Sequence, residues 1–351
     1  MKRRRRTGER GVALALIAIA LTTIFAMIVI AVDVGRFAHT ATEVQSVADH
    51  AALAGAKTVL VKGAGNAQAG ANTTALQNTF DGRTFVNDGT IASLPVDEGC
   101  YARPAAGCTT NCTGTFTVQA PPCPAGQLQA VRATATGQAV RIITAALLPI
   151  NAGLQSLNIT KQAIAAIEGF SAGGPALPVT ICPNLLSQQS GPCVQGTPLG
   201  AAIALVPDPS QNACYTSLDG SSANAQTFIS RLPSSCGGSS SGPTIVSLGE
   251  SINLQNGADT SFLQALQNCV AQGVHDYTLP VMQNCGNCNG SGTVVDFVTI
   301  HIANSTDVVA TGPAANKGIH NATQICNNNV PSGGGSGSAG LYGSRGVNLV
   351  Q

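Results

Sequence analysis

The sequence predicts an α+β protein in which a single N-terminal transmembrane helix continues into a long helix, followed by a mainly β, disulfide-bridged extracytoplasmic domain. Three observations predict it: an uncharged apolar run near the N-terminus, a heptad-like spacing of small residues directly after it, and twelve cysteines confined to the remainder. Charged residues make up 9% of the 351, against roughly 25% in a typical soluble domain, while 44% are hydrophobic. Ala, Gly, Ser, Thr, Asn and Gln replace the missing charge. A helical bundle needs Glu and Lys on its wet faces, so the exchange fits a sheet-rich, loop-rich exported chain. The net charge of +1 and the high apolar content exclude ordinary disorder.

Residues 1–10 read as a basic cytoplasmic tail. Lys2, Arg3, Arg4, Arg5, Arg6 and Arg10 oppose only Glu9, leaving +5 there and −4 on everything after it. The body offers no basic stripe to displace counterions from phosphates, so no nucleic-acid partner is expected. Residues 11–32 carry no charge and only Thr22 and Thr23 as polar side chains. At 1.5 Å per residue they reach about 33 Å, close to the roughly 30 Å of a bilayer hydrocarbon core. Bases precede the run and Asp33 follows it, so the positive-inside rule keeps the N-terminus in the cytoplasm and exports the rest. A signal-peptide core is shorter, about 7–15 residues. Val29-Ile30-Ala31 is a poor cleavage site, and the segment is expected to stay as an anchor.

Helical periodicity continues through a juxtamembrane helix at residues 33–62. Val34, Phe37, Ala41, Val44, Ala48, Ala51 and Gly55 recur at alternating spacings of three and four. One helix over residues 11–60 would be about 75 Å long. The small seam residues permit close backbone approach, either to the chain's own sheet or to another chain in an oligomer. Arg36, Thr40, Glu43, Gln45, Asp49 and His50 lie off the seam.

These residues resemble a family. The run RGVALALIAIALTTIFAMIVIAVDVGRF followed by EVQSVADHAALAGA is similar to the N-terminal segment of TadG-like (TadE/TadG-type) proteins of the bacterial tight-adherence, or Flp, pilus assembly systems. Arg10, Gly11, Asp33, Gly35, Arg36, Gln45, Ala48, Asp49, Ala51, Ala52, Leu53, Ala54, Gly55 and Ala56 match that pattern, and His50 stands where the family usually has a small residue. A weaker likeness, a strand, a short helix and a second strand, continues through residues 131–169. The resemblance implies a non-enzymatic envelope protein acting in pilus assembly or surface adhesion through protein contacts. It further implies a single pass in the bacterial inner membrane, with the bulk in the periplasm or at the cell surface and other pilus-assembly or envelope proteins as partners. Two family features do not carry over. A prepilin peptidase site needs Glu five residues after Gly, where Ala13 follows Gly8 and Leu16 follows Gly11. The Asp-x-Ser-x-Ser metal motif is approached only by Asp219-Gly220-Ser221-Ser222-Ala223.

In the exported part, β-branched content predicts strands at 115–118, 130–136, 157–159, 244–248 and 293–302, with helices at 67–80, 139–148 and 261–272. Along 293–302, Val295, Phe297, Thr299 and His301 alternate with Val294, Asp296, Val298, Ile300 and Ile302, which places Asp296 on an apolar face. It should lie near a strand end or find a partner. Residues 173–175, 237–243 and 331–340 read as flexible connections. A boundary near 169–178 separates an α+β region, 63–170, from a Cys-rich, strand-rich region, 171–351.

Cys100, Cys108, Cys112 and Cys123 form one cluster, and Cys269, Cys285, Cys288 and Cys326 another, with Cys182, Cys193, Cys214 and Cys236 between them. An oxidising compartment would pair all twelve. Proximity suggests Cys182 with Cys193 and Cys214 with Cys236, although spacing alone does not fix connectivity.

Catalytic motifs are weak. The G-x-S-x-G at 238–242 lies in a Ser-rich linker closed by Pro243, without the strand and helix of a nucleophile elbow. Cys285-x-x-Cys288 is followed by the turn residues Asn289-Gly290-Ser291-Gly292, not by a helix. The alternative function, an anchored extracytoplasmic enzyme or metal-binding domain, would use Cys269, Cys285, Cys288 and Cys326 with His275, His301 or His320. Gly63-Ala64-Gly65 lacks the Lys of a phosphate loop, and Asp97-Glu98 reads as a solvated turn. No catalytic residue, cofactor or metal is expected, and the protein is read as not an enzyme.

Overall fold

The computed structural model describes residues 9–90, 92–104, 114–124, 126–142, 156–169, 172–173, 177–188, 192–206, 213–218, 224–233, 236, 238, 246–255, 259–283, 288, 290–313, 316–328 and 345–350. Helix α1 (Glu9–Lys62) runs unbroken for 54 residues, about 81 Å. It is followed by α2 (Ala67–Ala75), the strands β1 (Thr79–Phe80), β2 (Arg83–Thr84), β3 (Ala92–Ser93), β4 (Val96–Ala102) and β5 (Thr115–Val118), and the long β6 (Gln127–Arg141) and β7 (Ser156–Gly169). A second group follows: β8 (Ala172–Gly173), β9 (Val179–Ile181), β10 (Ile203–Leu205), β11 (Ala213–Thr216), α3 (Ala225–Ser230), β12 (Val246–Ser247), β13 (Ser251–Gln255) and α4 (Thr260–Ala271). The described elements end with β14 (Asp276–Met282), β15 (Gly290–His301), β16 (Val308–Val309), β17 (Gly318–Ile325) and β18 (Arg345–Val350).

The first sheet has the order β18-β7-β6-β4-β5, with β3 also on β6, and every pairing is antiparallel. Its last strand comes from far along the chain: β18 adds beside β7 with Val350 opposite Ile164. One face of the β6–β7 ribbon is apolar and small, through Val131, Ala133, Ala135, Ala163 and Ala165, and α1 and α2 bury against it. Gly70 in α2 shows how tightly the two helices meet. A Cβ there would stand 2.0 Å from Thr58 Oγ1 and 2.7 Å from Ala54 O, so only hydrogen fits. The opposite face holds a smaller cluster around Tyr101, Leu128, Ala130 and Ala166.

The second sheet has the order β10-β17-β15-β13-β11-β9-β14, and β14 also pairs with β15. Strands β9, β11, β13, β15 and β14 therefore close a five-strand circuit, with one parallel contact at Val281 and Ile181. Four strands of the circuit supply residues to one apolar cluster, Cys214, Ile252 and Leu254, Met282, and Val294 with Phe297, and Cys182, directly after β9, joins them. Helices α3 and α4 cover other residues of the same strands, with Phe228 and Phe262 packed on Tyr215.

Several expected elements shift. The helix expected at 67–80 stops at Ala75, and residues 79–84 form a hairpin instead. Residues 139–141, expected to begin a helix, continue β6, while the rest of that stretch lies outside the described residues. The 261–272 helix and the strands at 115–118, 130–136 and 157–159 are present. Of the 244–248 strand, residues 246–248 are described, and 246–247 form β12 while 248 turns out of it. Along β15 the simple alternation fails. The register with β14 shifts between Val281 and Met282, and the bulge puts Val294 in the same cluster as Phe297 instead of with Val298 and Ile300. Asp296, 2% exposed, lies mid-strand, where its Oδ1 accepts from Phe297 N at 2.8 Å and Arg345 stands as a nearby positive charge.

Candidate functional site

The residues with most to say about function lie along α1. From Leu14 to Val32 the large apolar side chains face outward: Leu14, Ile19, Phe25 and Met27 are each more than 60% exposed. Among the described residues one helix is long and apolar enough to cross a membrane, and this is it. The outer surface of a soluble core helix would carry charge; this one carries none until Asp33.

Past that point the same helix becomes a core element. Of the expected seam, Val44, Ala48, Ala51 and Gly55 are buried, Phe37 packs against the edge of the cluster, Ala41 is half-buried and Val34 is exposed. The face opposite them is the chain's own β6–β7 ribbon. A Cβ on Gly55 would meet Val131 Cγ1 at 3.0 Å and Ala67 O at 3.2 Å, so the close approach that the small residues allow is made within one chain. The covered stripe is wider than the seam, since Val47, Ala52, Ala56, Val59 and Leu60 are buried as well. Thr40, expected off the seam, is 1% exposed.

Polar contacts fix the register of this docking. Arg36 Nη2 and Nε reach Asp81 Oδ1 at 2.6 and 2.7 Å. Asp81 N donates to Glu43 Oε2 at 2.8 Å. Asp81 has a φ of 49°, unusual for a side-chain-bearing residue, and these two contacts from positions about two helical turns apart hold it there. Arg83 Nη2 donates to Gln138 O at 3.0 Å, tying the hairpin to β6. Gln45 Nε2 donates to Asp49 Oδ1 at 2.7 Å and contacts Gln162 O at 3.4 Å.

The far end of α1 is locked to the second half of the chain. Lys57 Nζ donates to the backbone oxygen and, at 3.0 Å, to Oδ1 of Asn328, and burial lowers its pKa from the ordinary lysine value. Asn328 Nδ2 donates to Cys193 O at 2.7 Å, and Cys193 N donates to Leu60 O at 2.6 Å. The Cys193–Cys326 disulfide sits in the same apolar cluster as α1. Asp97 and Glu98 are no free turn. They belong to β4, where Asp97 pairs with Arg132 at 2.6 Å. Glu98 accepts from Gly65 N and Ala67 N, both at 3.0 Å or less, and so caps α2, whose own Asn66 makes no side-chain cap bond.

The remaining cysteines correct the proximity pairing. Besides Cys193–Cys326, the bridges are Cys100–Cys123, Cys214–Cys288 and Cys236–Cys269, and Cys182 is also disulfide-bonded. Only Cys100 and Cys214 of these lie in strands and Cys269 lies in α4, so the tertiary approach of distant segments and not sequence spacing sets the partners. Cys108, Cys112 and Cys285 lie outside the described residues, as do most of 237–243 and all of 219–223 and 331–340. Cys269, Cys288 and Cys326, three of the four thiols of the metal alternative, go to three separate bridges. The His275 and His301 rings lie 5.5 Å apart, tilted by 38°, and His301 Nδ1 meets Asp276 Oδ1 at 2.7 Å. His320 Nε2 contacts Asn316 O, away from that pair. Among the described residues no group of three or more such side chains is placed to hold a metal ion.

The exposed apolar half and the docked half of α1 together define a segment. Residues 11–58 match the family model of Flp pilus-assembly TadE/G-like proteins. No curated protein and no solved structure matches the chain. The TadE/G-like segment covers the candidate span, the small-residue face of α1 and Arg36 and Glu43, the two residues that hold Asp81, and it ends beside Lys57. Sequence reasoning missed the hairpin that this clamp holds and the cap at Glu98. For Glu98 no local signal existed, because the donors lie more than thirty residues earlier.

Proposed function

We propose that the protein is a single-span envelope protein that serves Flp-type pilus assembly or surface adhesion through protein contacts and without catalysis. The observation that supports this most is the coincidence of the TadE/G-like match with one continuous helix, lipid-facing below Asp33 and buried in its own body above it. The basic tail supports a cytoplasmic N-terminus, and the oxidised cysteines support an exported body in a bacterial inner membrane. The small face of α1 above Val44 is already occupied by β6 and β7. Contacts with other pilus-assembly proteins would therefore use the span itself or the outer surfaces of the body.

The test is genetic and biochemical. Removing the protein from a host with an Flp system should abolish surface pili or adherence, and the detergent-solubilised protein should co-purify with other assembly proteins. Normal piliation without it, together with purification of the protein alone, would sink the reading.

A further inference from the structure

The covered face of α1 starts unexpectedly low. Val29 is half-buried and Asp33 is 5% exposed, although the apolar run ends only at Val32. The body thus reaches down to the edge of the hydrocarbon and is not held above it on a bare stalk. Arg36, the first residue to grip the hairpin β1–β2, is four residues past Val32, about 6 Å along the helix. The headgroup layer outside the roughly 30 Å core is about 5–7 Å deep on each side. Arg36 and Arg83, each with 35% of its side chain exposed, bracket Asp81 at that depth.

The strands give the same orientation. A Cβ on Gly137 would touch Val44 Cγ2 at 3.2 Å, and one on Gly55 would touch Val131 Cγ1 at 3.0 Å. Gly137 pairs with Ile159 and Val131 with Ala165, so β7 rises away from the membrane alongside α1. Its first residues are on the low rim. There Leu157, opposite Val140, is 46% exposed, a large apolar side chain open to its surroundings.

We propose that this rim, formed by the β1–β2 hairpin with Arg36 and Arg83 and by the start of β7 with Leu157, is seated in the phospholipid headgroup layer. The guanidinium groups would pair with lipid phosphates and Leu157 would lie at the interface. The proposal rests on α1 spanning the bilayer and adds a second, lateral contact that fixes how the body faces the membrane.

The chain contains no tryptophan, so a single introduced one is the only such reporter. Full-length protein carrying Leu157→Trp or, separately, Val118→Trp would be reconstituted in phosphatidylcholine–phosphatidylglycerol vesicles with or without a nitroxide on the lipid headgroup. Val118 is 59% exposed on β5, and register through Gly99 and Ala130 places it level with Ala166, nine positions up β7 from Leu157, about 30 Å away. The expected result is that the tryptophan at 157 loses most of its emission to the nitroxide and is shielded from aqueous iodide, while that at 118 behaves oppositely. If both respond alike in protein that resists alkaline extraction, the seat is wrong and the span stands. Release by alkali would overturn the span and the seat together.

Discussion

The Cys193–Cys326 bridge offers a quantitative test of how the second half of the chain is held to α1. Its cysteines are 133 residues apart, and the Cys214–Cys288 bridge, with a separation of 74, lies inside that loop. The inner bridge shortens the closed path to about 60 residues, for which the chain-entropy relation gives about 4 kcal/mol, against about 5 for the uninterrupted loop. Replacing both cysteines by Ala keeps the buried positions apolar. It also leaves the backbone bonds of Cys193 to Leu60 and Asn328 available, so the loss reports mainly the cross-link. Urea unfolding of the full-length protein in detergent, followed by near-ultraviolet circular dichroism of its tyrosines, should show a destabilisation of about 4 kcal/mol. A loss below about 1 kcal/mol, the size of an ordinary substitution, would refute the reasoning that this bridge limits the unfolded ensemble.

Four further outcomes are expected. Ala48→Leu forces bulk between α1 and the β6–β7 ribbon and should cost about 1–3 kcal/mol in the same unfolding assay while membrane insertion is unchanged; Glu43→Gln, which weakens the acceptor of Asp81 N, should cost about 1 kcal/mol and not the near-zero of a free surface residue. Burial raises the pKa of Tyr101, Tyr215 and Tyr277 above the ordinary tyrosine value, with Asp259 adding to the rise at Tyr215 and Asp276 at Tyr277. Because the folded state holds these protons more tightly, their contribution is intact below about pH 10 and is lost as pH rises beyond it. Absorbance at the phenolate band should therefore lag a free-tyrosine titration until the protein unfolds, and a normal titration in the folded state would contradict the burial. Ile19→Arg, at a lipid-facing position, should cost about 2.5–3.5 kcal/mol of insertion, read as a drop in alkali-resistant protein.

The legible part of this molecule was the part governed by local spacing. An uncharged run and a seam of small residues are enough to draw α1, because a helix satisfies its own backbone and needs its partner only to choose a face. The helix expected at 261–272 is α4, and Asp259 caps it by accepting from Phe262 N. The closed strand circuit was not legible, since each pairing joins residues separated by loops of unrelated length. The same reason hid the cysteine partners. At β15 a single bulge near Val295 moved Val294 to the other face, which strict alternation cannot anticipate. Of the expected seam, Val44, Ala48, Ala51 and Gly55 are buried while Val34 is exposed, and that the partner is internal depends on the small inward side chains of β6 and β7, a match visible only once the strands are in register.

Strand β18 carries a consequence for how the protein is made. Synthesis from the N-terminus delivers α1, β6 and β7 first, whereas β18, which pairs beside β7 with Val350 opposite Ile164, follows only after strands β8 to β17 have been made. Until then the outer edge of β7 presents unpaired backbone amides and carbonyls beside the membrane. Such an edge is a template for any extended segment nearby. During biogenesis the nascent molecule is thus open to strand exchange with a neighbour, and the return of β18 is the step that closes this edge.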